Sequence, residues 1–394
     1  MEYIFSNKVK DMEGSAIRAV LKLTSGKNLI TFAAGVPAPE TLPVDFIKAT
    51  VDKALTETPT LALQYGVTDG YNVLVERLQK KAEGMSVDLE TNSVVVTTGG
   101  QQVIDLAARA LLNEGDLVAC ETPTFIGGLN AFKSYNTRQV GIPMTDDGMD
   151  LNALEDVLKK EKVKMVYTIP TFHNPMGVTM PLENRKELLK LASKYDFMIL
   201  EDNPYGELRF AGEYVPTIKS LDTEGRVIYA GSFSKILSPG LRVGFTFAPH
   251  AVADKMVVAK QITDVHTPMI NQIVAAEFLN YEGYDAHIEN CCSVYRKKVN
   301  LMTDCIDKCF PEYVTRTSPT GGIFLWCKIN KDVDTLELMQ KALEKGVAFI
   351  PGYTFMIDTS AVQNTFRLNY SIPSENDIIN GIEIISGIIK ENVK

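Results

Sequence analysis

From residue 91 onward the chain repeats one unit, a short and nearly unbroken apolar run followed by a stretch with helical spacing. Residues 93–98 (SVVVTT), 117–121, 163–170 (VKMVYTIP), 197–202 (FMILED), 227–230 and 243–248 read as strands, and residues 101–112 and 182–194 as helices. Strands that are apolar throughout have no solvent face, and intervening helices supply the crossovers that parallel neighbours need. The pattern predicts an α/β chain whose parallel or mostly parallel sheet is covered on both faces. Such sheets bind ligands beyond the carboxyl ends of their strands, so chemistry is sought there.

After about residue 281 the texture changes. A long helical stretch at 286–308 leads into 321–329 (GGIFLWCKI), 347–350 and 366–371, fewer strands with more alternation, which reads as a smaller α+β unit. At 394 residues the chain exceeds what one core usually serves. Three parts are expected: an arm or lid at 1–45 that packs with the small domain and contains a short helix at 15–23, a large α/β domain at 46–280, and a small C-terminal domain at 281–394. The net charge of −9 argues against nucleic acid, whose phosphates demand clustered Lys and Arg. No run approaches the ~18 apolar residues of a membrane span, and the start MEYIFSNK has no signal-peptide core, so no membrane partner is expected. The six cysteines match no zinc spacing. Cys305 and Cys309, four apart, read as buried thiols; no metal is expected, and a reduced cytoplasm is the expected compartment.

Five motifs fall at or near strand ends. Gly231-Ser232-Phe233-Ser234-Lys235, with Arg242 seven positions beyond the lysine, gathers hydroxyls and a guanidinium suited to a phosphate dianion, beside an amine able to condense with an aldehyde. Taken alone, Ser-x-Ser-Lys also describes a solvated loop. Asp202 closes the strand FMILED before Asn203-Pro204-Tyr205; it either caps a turn or faces a cation in a dry crevice. Asn174, in His173-Asn174-Pro175-Met176-Gly177, makes a turn or donates its amide to a phenolate. Gly99-Gly100-Gln101 joins a strand to a helix, where backbone N–H groups approach an anion, although such glycines also occur without one. Arg367 interrupts an apolar strand, where a guanidinium needs a salt-bridge partner or an incoming carboxylate.

Together these motifs, in this order and over nearly the whole chain, resemble the class I/II aminotransferases of fold type I, and most closely the subgroup of 2-aminoadipate and kynurenine aminotransferases. The resemblance implies a mostly parallel seven-stranded sheet in the large domain and pyridoxal 5'-phosphate as cofactor. It implies that Lys235 is the Schiff-base lysine, that Asp202 faces the pyridine nitrogen, and that Asn174 and Tyr205 bind the phenolic oxygen. Ser232, Ser234, Arg242, Gln101 and the Gly99–Gly100 backbone would hold the phosphate, and Phe125 would stack on the ring. Arg367 would receive the substrate α-carboxylate, with Gly35 lining the substrate side and Arg18 a candidate for a distal carboxylate. Tyr65 resembles the tyrosine lent to the neighbouring subunit, which implies a homodimer with shared active sites. Gly100 stands where serine is common, Phe125 where tyrosine is frequent, and His173 and Met176 where glutamine and threonine are usual.

The activity implied is transfer of an amino group between an L-amino acid of 2-aminoadipate, aromatic or branched-chain type and a 2-oxo acid such as 2-oxoglutarate, with ping-pong kinetics. A β-lyase on the same fold shares the residues around the cofactor. A non-catalytic, aminotransferase-like effector domain would need a basic DNA-binding module ahead of the fold, which this chain does not show.

Overall fold

The computed structural model describes residues 3–6, 8–10, 29–360 and 364–393. The expected helix at 15–23, and Arg18 with it, lie outside the described residues. The large sheet contains β2 (Asn92–Thr97), β3 (Leu117–Thr122), β4 (Arg138–Thr145), β5 (Gly148–Met149), β6 (Val163–Thr168), β7 (Met198–Asp202), β8 (Val227–Ser232) and β9 (Gly244–Pro249). Their spatial order is β2-β9-β8-β7-β6-β3-β4-β5. The pairs from β8 through β7, β6 and β3 to β4 are parallel; β9 runs against both its neighbours, and β5 against β4. Seven strands are thus of ordinary length, as the resemblance implies, and the two-residue β5 adds an eighth at the edge.

Alternation within the strands builds the layers. Leu117, Ala119, Val166, Ile199 and Val227 face the helices Leu151–Leu158 and Leu182–Tyr195. Val118, Cys120, Met165, Leu200 and Ile228 face the helices Gly100–Leu111 and His250–Thr263. Side chains two apart share a face, so one apolar run feeds two cores. Each such side chain, once buried, contributes about 1.5–3 kcal/mol. β9 departs from the parallel frame because residues 233–243 return the chain beside β8 without a crossover helix.

A second, antiparallel sheet orders β10 (Val314–Arg316), β11 (Phe324–Ile329), β14 (Thr365–Asn369) and β13 (Ile350–Pro351) as β10-β11-β14-β13. The helices Tyr284–Cys309, Thr335–Glu344 and Glu375–Asn392 pack with it. The last of these starts with a capping box, Ser374 and Asp377 exchanging hydrogen bonds. Near the N-terminus, β1 (Ile30–Thr31) pairs in parallel with β12 (Val347–Ala348), and the Asn369 N–H donates to the Phe32 carbonyl at 2.9 Å. That pairing carries residues 33–36 to the mouth of the site. Among the described residues, no helix is long and apolar enough to cross a membrane, and no cluster of His, Cys, Asp and Glu could hold a metal ion. All six cysteines are free; Cys305 and Cys309 share the long helix and are partly buried.

Candidate active site

The strands β2, β6, β7 and β8 all point the same way, so the residues that follow them meet along one edge of the sheet. There they surround a cavity of about 490 Å³, a size typical of small-molecule sites. Asp202, the last residue of β7, and Lys235, just past β8, both line it. Asn174, from the loop after β6, and Tyr205, in the turn after β7, supply a third side. Arg367 enters from β14 and Gly35 from the N-terminal segment. A larger cavity of about 760 Å³ lies beside Trp326, Met144 and Met356, but it holds none of these groups.

The electrostatics set this cavity apart. Burial draws the Lys235 ammonium down to about 8, helped by Arg242 and then Arg367 and opposed by Asp202. Its Nζ donates to the Gly35 carbonyl at 2.7 Å. Burial pushes Asp202 up to about 7; the Tyr167 hydrogen bond opposes the rise, Glu121 adds to it and Lys235 works against it. The Tyr167 hydroxyl donates to Asp202 Oδ2 at 2.7 Å. Burial also raises the Tyr205 phenol well above its ordinary value. A desolvated amine and a desolvated carboxyl in one crevice are the mark of a reactive site.

Arg367 is buried, and burial lowers it to about 9, so it stays charged at neutral pH. Its guanidinium lies over the rings of Phe324 at 4.1 Å and Phe355 at 4.8 Å. Nη1 donates to Asn174 Oδ1 at 2.9 Å and Nη2 to the Ala33 carbonyl at 2.7 Å, while Nε has no partner among the described residues. An unmatched donor on a buried cation is what an anionic ligand would satisfy.

At the other end, Gly99 adopts φ +84°, and a Cβ there would collide with Arg242 Nη2. A Cβ on Gly244 would strike the Gly99–Gly100 backbone at 2.6 Å. Only glycine lets the turn, Arg242 and β9 approach this closely. Gly100, Gln101, Ser232, Ser234 and Arg242 border the cavity here, and the Ser234 N–H donates to Ser232 Oγ at 3.1 Å. At Gly100 an added Cβ would make ordinary contact with Ser232, at 3.6 Å, so the common serine would fit. Phe125 also lines the cavity.

Of the residues singled out from sequence, Tyr65 and His173 are among those that do not line this cavity. Tyr65 is 81% exposed, its ring edge-on to His266. Arg18 lies outside the described residues. His173 is fully buried behind Asn174: its Nδ1 accepts from the Met176 N–H at 3.3 Å, and its Nε2 stands 3.1 Å from Glu121 Oε2, too far out of line for a hydrogen bond. Glu121 itself ties β3 to β6, accepting from Thr168 Oγ1 at 2.6 Å and the Ile169 N–H at 2.9 Å. Sequence reading missed Tyr167, Phe324 and Phe355. Tyr167 left a trace as a phenol in an apolar strand, a trace Tyr229 shares; the two phenylalanines look like core in any pattern.

The aminotransferase class I and II family model matches residues 27–385. The aromatic-amino-acid aminotransferase 1 of Thermococcus litoralis is 42% identical, over 100% of this chain and 95% of its own length. A kynurenine aminotransferase of Pyrococcus horikoshii, solved in complex with PMP and with KYN as substrates and KYA as products, superposes at a TM-score of 0.96 with 40% identity, covering 99% of this chain and 98% of its own. The α-aminoadipate aminotransferase LysN of Thermus thermophilus, complexed with N-(5'-phosphopyridoxyl)-L-leucine, gives 0.90 and 38%, covering 98% and 97%. The fold is that of a pyridoxal-phosphate transferase of fold type I. The chain belongs to the class I and II aminotransferases, and is a pyridoxal-phosphate-dependent aminotransferase.

The residues present fit that cofactor. One end of the cavity offers an amine of lowered pKa for an aldehyde, and a buried carboxyl stands ready for a ring nitrogen. The glycine turn with Arg242 forms a cradle that a Cβ would fill.

Proposed function

We propose that this aminotransferase takes aromatic, branched-chain and 2-aminoadipate-type L-amino acids and passes their amino group to a 2-oxo acid such as 2-oxoglutarate in a ping-pong sequence. The observation that carries the reading is Arg367, within 4.1 and 4.8 Å of the Phe324 and Phe355 ring centres and with an Nε unmatched among the described residues, at a cavity whose lining includes Ile104, Phe125 and Ile169. One cation suits the α-carboxylate that every amino acid shares, and the apolar lining suits a bulky side chain. The names of the relatives support the aromatic and 2-aminoadipate parts of this range, and the phosphopyridoxyl-L-leucine bound by LysN supports the branched-chain part. Arg18 remains our candidate for the distal carboxylate of an acidic substrate.

When bound, the cofactor supplies the electron sink for charge that develops at the substrate Cα. The protein does the rest. Lys235 would hold the cofactor aldehyde carbon until the substrate amine displaces it, then take the proton from Cα. Its lowered pKa leaves far more of the amine neutral near physiological pH than in an ordinary lysine. Asp202, fixed through one oxygen by Tyr167, would keep a proton on the ring nitrogen. Asn174 and Tyr205 would bind the phenolic oxygen, Phe125 would cover the ring, and the Gly99–Gly100 turn with Gln101, Ser232, Ser234 and Arg242 would hold the phosphate.

We further propose a homodimer in which Tyr65 reaches the partner's site. The exposed side chains of Leu61, Leu63, Tyr65 and Val67 support this, as do Ile262 and Val265 near His266; apolar residues gathered in this way mark an interface. The division at 1–45, 46–280 and 281–394 is supported by the separate sheets and by the pairing of β1 with β12. Six free cysteines suit a reducing cytoplasm.

A panel of amino donors offered with 2-oxoglutarate and with pyruvate tests the proposal. The expected products are the donor's oxo acid and a new amino acid, fastest with aromatic, branched-chain and 2-aminoadipate donors. Ammonia and pyruvate as products would mark a β-lyase instead.

A further inference from the structure

Behind the Thr98–Gly99–Gly100 turn lies an ion pair, its lysine buried and its carboxylate partly so, that the chemistry above does not use. Lys260, whose side chain is fully buried, donates to the two carboxylate oxygens of Asp264 at 2.8 and 3.0 Å. Asp264 Oδ2 also accepts from Thr98 Oγ1 at 2.5 Å and from Gln102 Nε2 at 2.8 Å. Gln102 Oε1 in turn accepts from Lys260 at 3.0 Å and from the Thr98 N–H at 2.7 Å. The Thr98 carbonyl accepts from Arg242 Nη2 at 3.3 Å. Amide, hydroxyl and carbonyl of this single residue are therefore all engaged, immediately before the glycine pair.

Burying an ammonium is costly unless a partner and further hydrogen bonds compensate it. Here both are present, and the network converges on Thr98, whose hydroxyl also lies 3.0 Å from Thr267 Oγ1, and on the helix that opens at Gly100. We propose that Asp264, backed by Lys260, is a positioning residue that clamps the Thr98–Gly99–Gly100 turn and so sets where its N–H groups and Arg242 meet the cofactor phosphate. The inference rests on the reading of that turn as the phosphate cradle. A turn ordered in advance spares the ligand the entropy of ordering it, which favours binding without any direct contact.

The test titrates the apoprotein and its Asp264→Ala, Asp264→Asn and Arg242→Ala variants with pyridoxal phosphate and with pyridoxal, which keeps the aldehyde and ring but lacks the phosphate. The ratio of the two dissociation constants isolates the phosphate contact. Asp264→Ala is expected to weaken pyridoxal phosphate about tenfold, the scale of one hydrogen bond to a charged group, and to leave pyridoxal unchanged. Asp264→Asn keeps an oxygen for Thr98 but no charge for Lys260, and should fall between. Arg242→Ala should weaken pyridoxal phosphate relative to pyridoxal, and so raise the ratio of the first constant to the second, in its own right. If it does not, the cradle reading fails and this inference with it. If it does, while the Asp264 variants keep the wild-type ratio or weaken both ligands equally, the positioning role is overturned and the cradle stands. Thermal melts of each apoprotein identify the folded variants; should Asp264→Ala not fold, Asp264→Asn decides between the same two outcomes.

Discussion

Arg367 and Asn174 are 193 positions apart in the chain and meet in one hydrogen bond, Nη1 to Oδ1 at 2.9 Å. The bond joins β14 of the small sheet to the loop after β6 of the large one, across the cavity that Lys235 lines. It commits the amide oxygen of Asn174 to Arg367, so the amide nitrogen is the end of that side chain left for a phenolic oxygen. A residue proposed for the substrate and a residue proposed for the cofactor therefore orient each other.

Arg367→Lys keeps the charge and loses the planar fork. We expect kcat/KM for amino acids to fall about 10–100-fold, the scale of one or two charged hydrogen bonds. The corresponding amines, which lack the carboxylate, should react at unchanged single-turnover rates. Equal losses for acids and amines would show that Arg367 supports the fold instead.

With Lys235 drawn down to about 8, the neutral amine that attacks an aldehyde is half-populated near that pH. Uptake of pyridoxal phosphate by the apoprotein, followed by its visible absorbance, should speed up as pH rises to 8 and level off above it. Arg242→Ala and Arg367→Ala remove cations that disfavour the ammonium, so each should move the inflection upward. An inflection near the ordinary lysine value of about 10.4 would show that the amine is well solvated.

Asp202 has the opposite signature. Its folded-state pKa, raised to about 7, exceeds the unfolded value near 3.8, so ionising it penalises folding. The penalty is absent in acid, grows as pH rises from about 4 to 7, and is constant above. Asp202→Asn removes it, so the apoprotein variant should gain at most roughly 2–4 kcal/mol relative to wild type at pH 8 and nothing well below the unfolded pKa, at about pH 2.5. Lys235 mirrors this: its lowered pKa penalises folding fully below pH 8, and the penalty fades as pH rises toward 10.5. Thermal melts across pH read both, and a wild-type advantage at pH 8 would contradict the burial of Asp202. Tyr167→Phe removes the hydrogen bond that holds Asp202 down, so the Asp202 transition should move to higher pH.

Arg185 is fully buried and donates to the carbonyls of Met180, Pro170 and Pro216 and to Thr171 Oγ1. It pins the loop that carries His173 and Asn174. Arg185→Met should destabilise the protein by several kcal/mol, about 1–3 for each buried acceptor left without a donor. Urea unfolding measures this, and a loss below about 1 kcal/mol would mean that water replaces the guanidinium.

If Tyr65 serves the partner's site, Tyr65→Ala and Lys235→Ala subunits, each impaired alone, should recover activity when mixed. One site of the hybrid would then hold both wild-type residues. Mixing without recovery would place Tyr65 and Lys235 in the same subunit's site.

Much of this protein was legible in its sequence because the signal was local. The apolar runs of β2, β3, β6, β7 and β8 carry their burial in their own residues, and a parallel sheet puts whatever follows such strands on one edge. Asp202, Lys235, Asn174 and the Gly99–Gly100 turn were found that way. β4 was not: Arg138, Pro143 and a half-exposed face blur its period, since only the two-residue β5 lies beyond it. The antiparallel course of β9 was likewise set by how residues 233–243 return. The partners that tune the site were decided by tertiary structure alone: Tyr167 on Asp202, two phenylalanine rings on Arg367, and Lys260 with Asp264 behind Thr98. A side chain's type and local spacing say what it needs, a counter-charge or a donor. Which distant group meets that need depends on where the chain crosses itself, and no window of neighbouring residues contains that information.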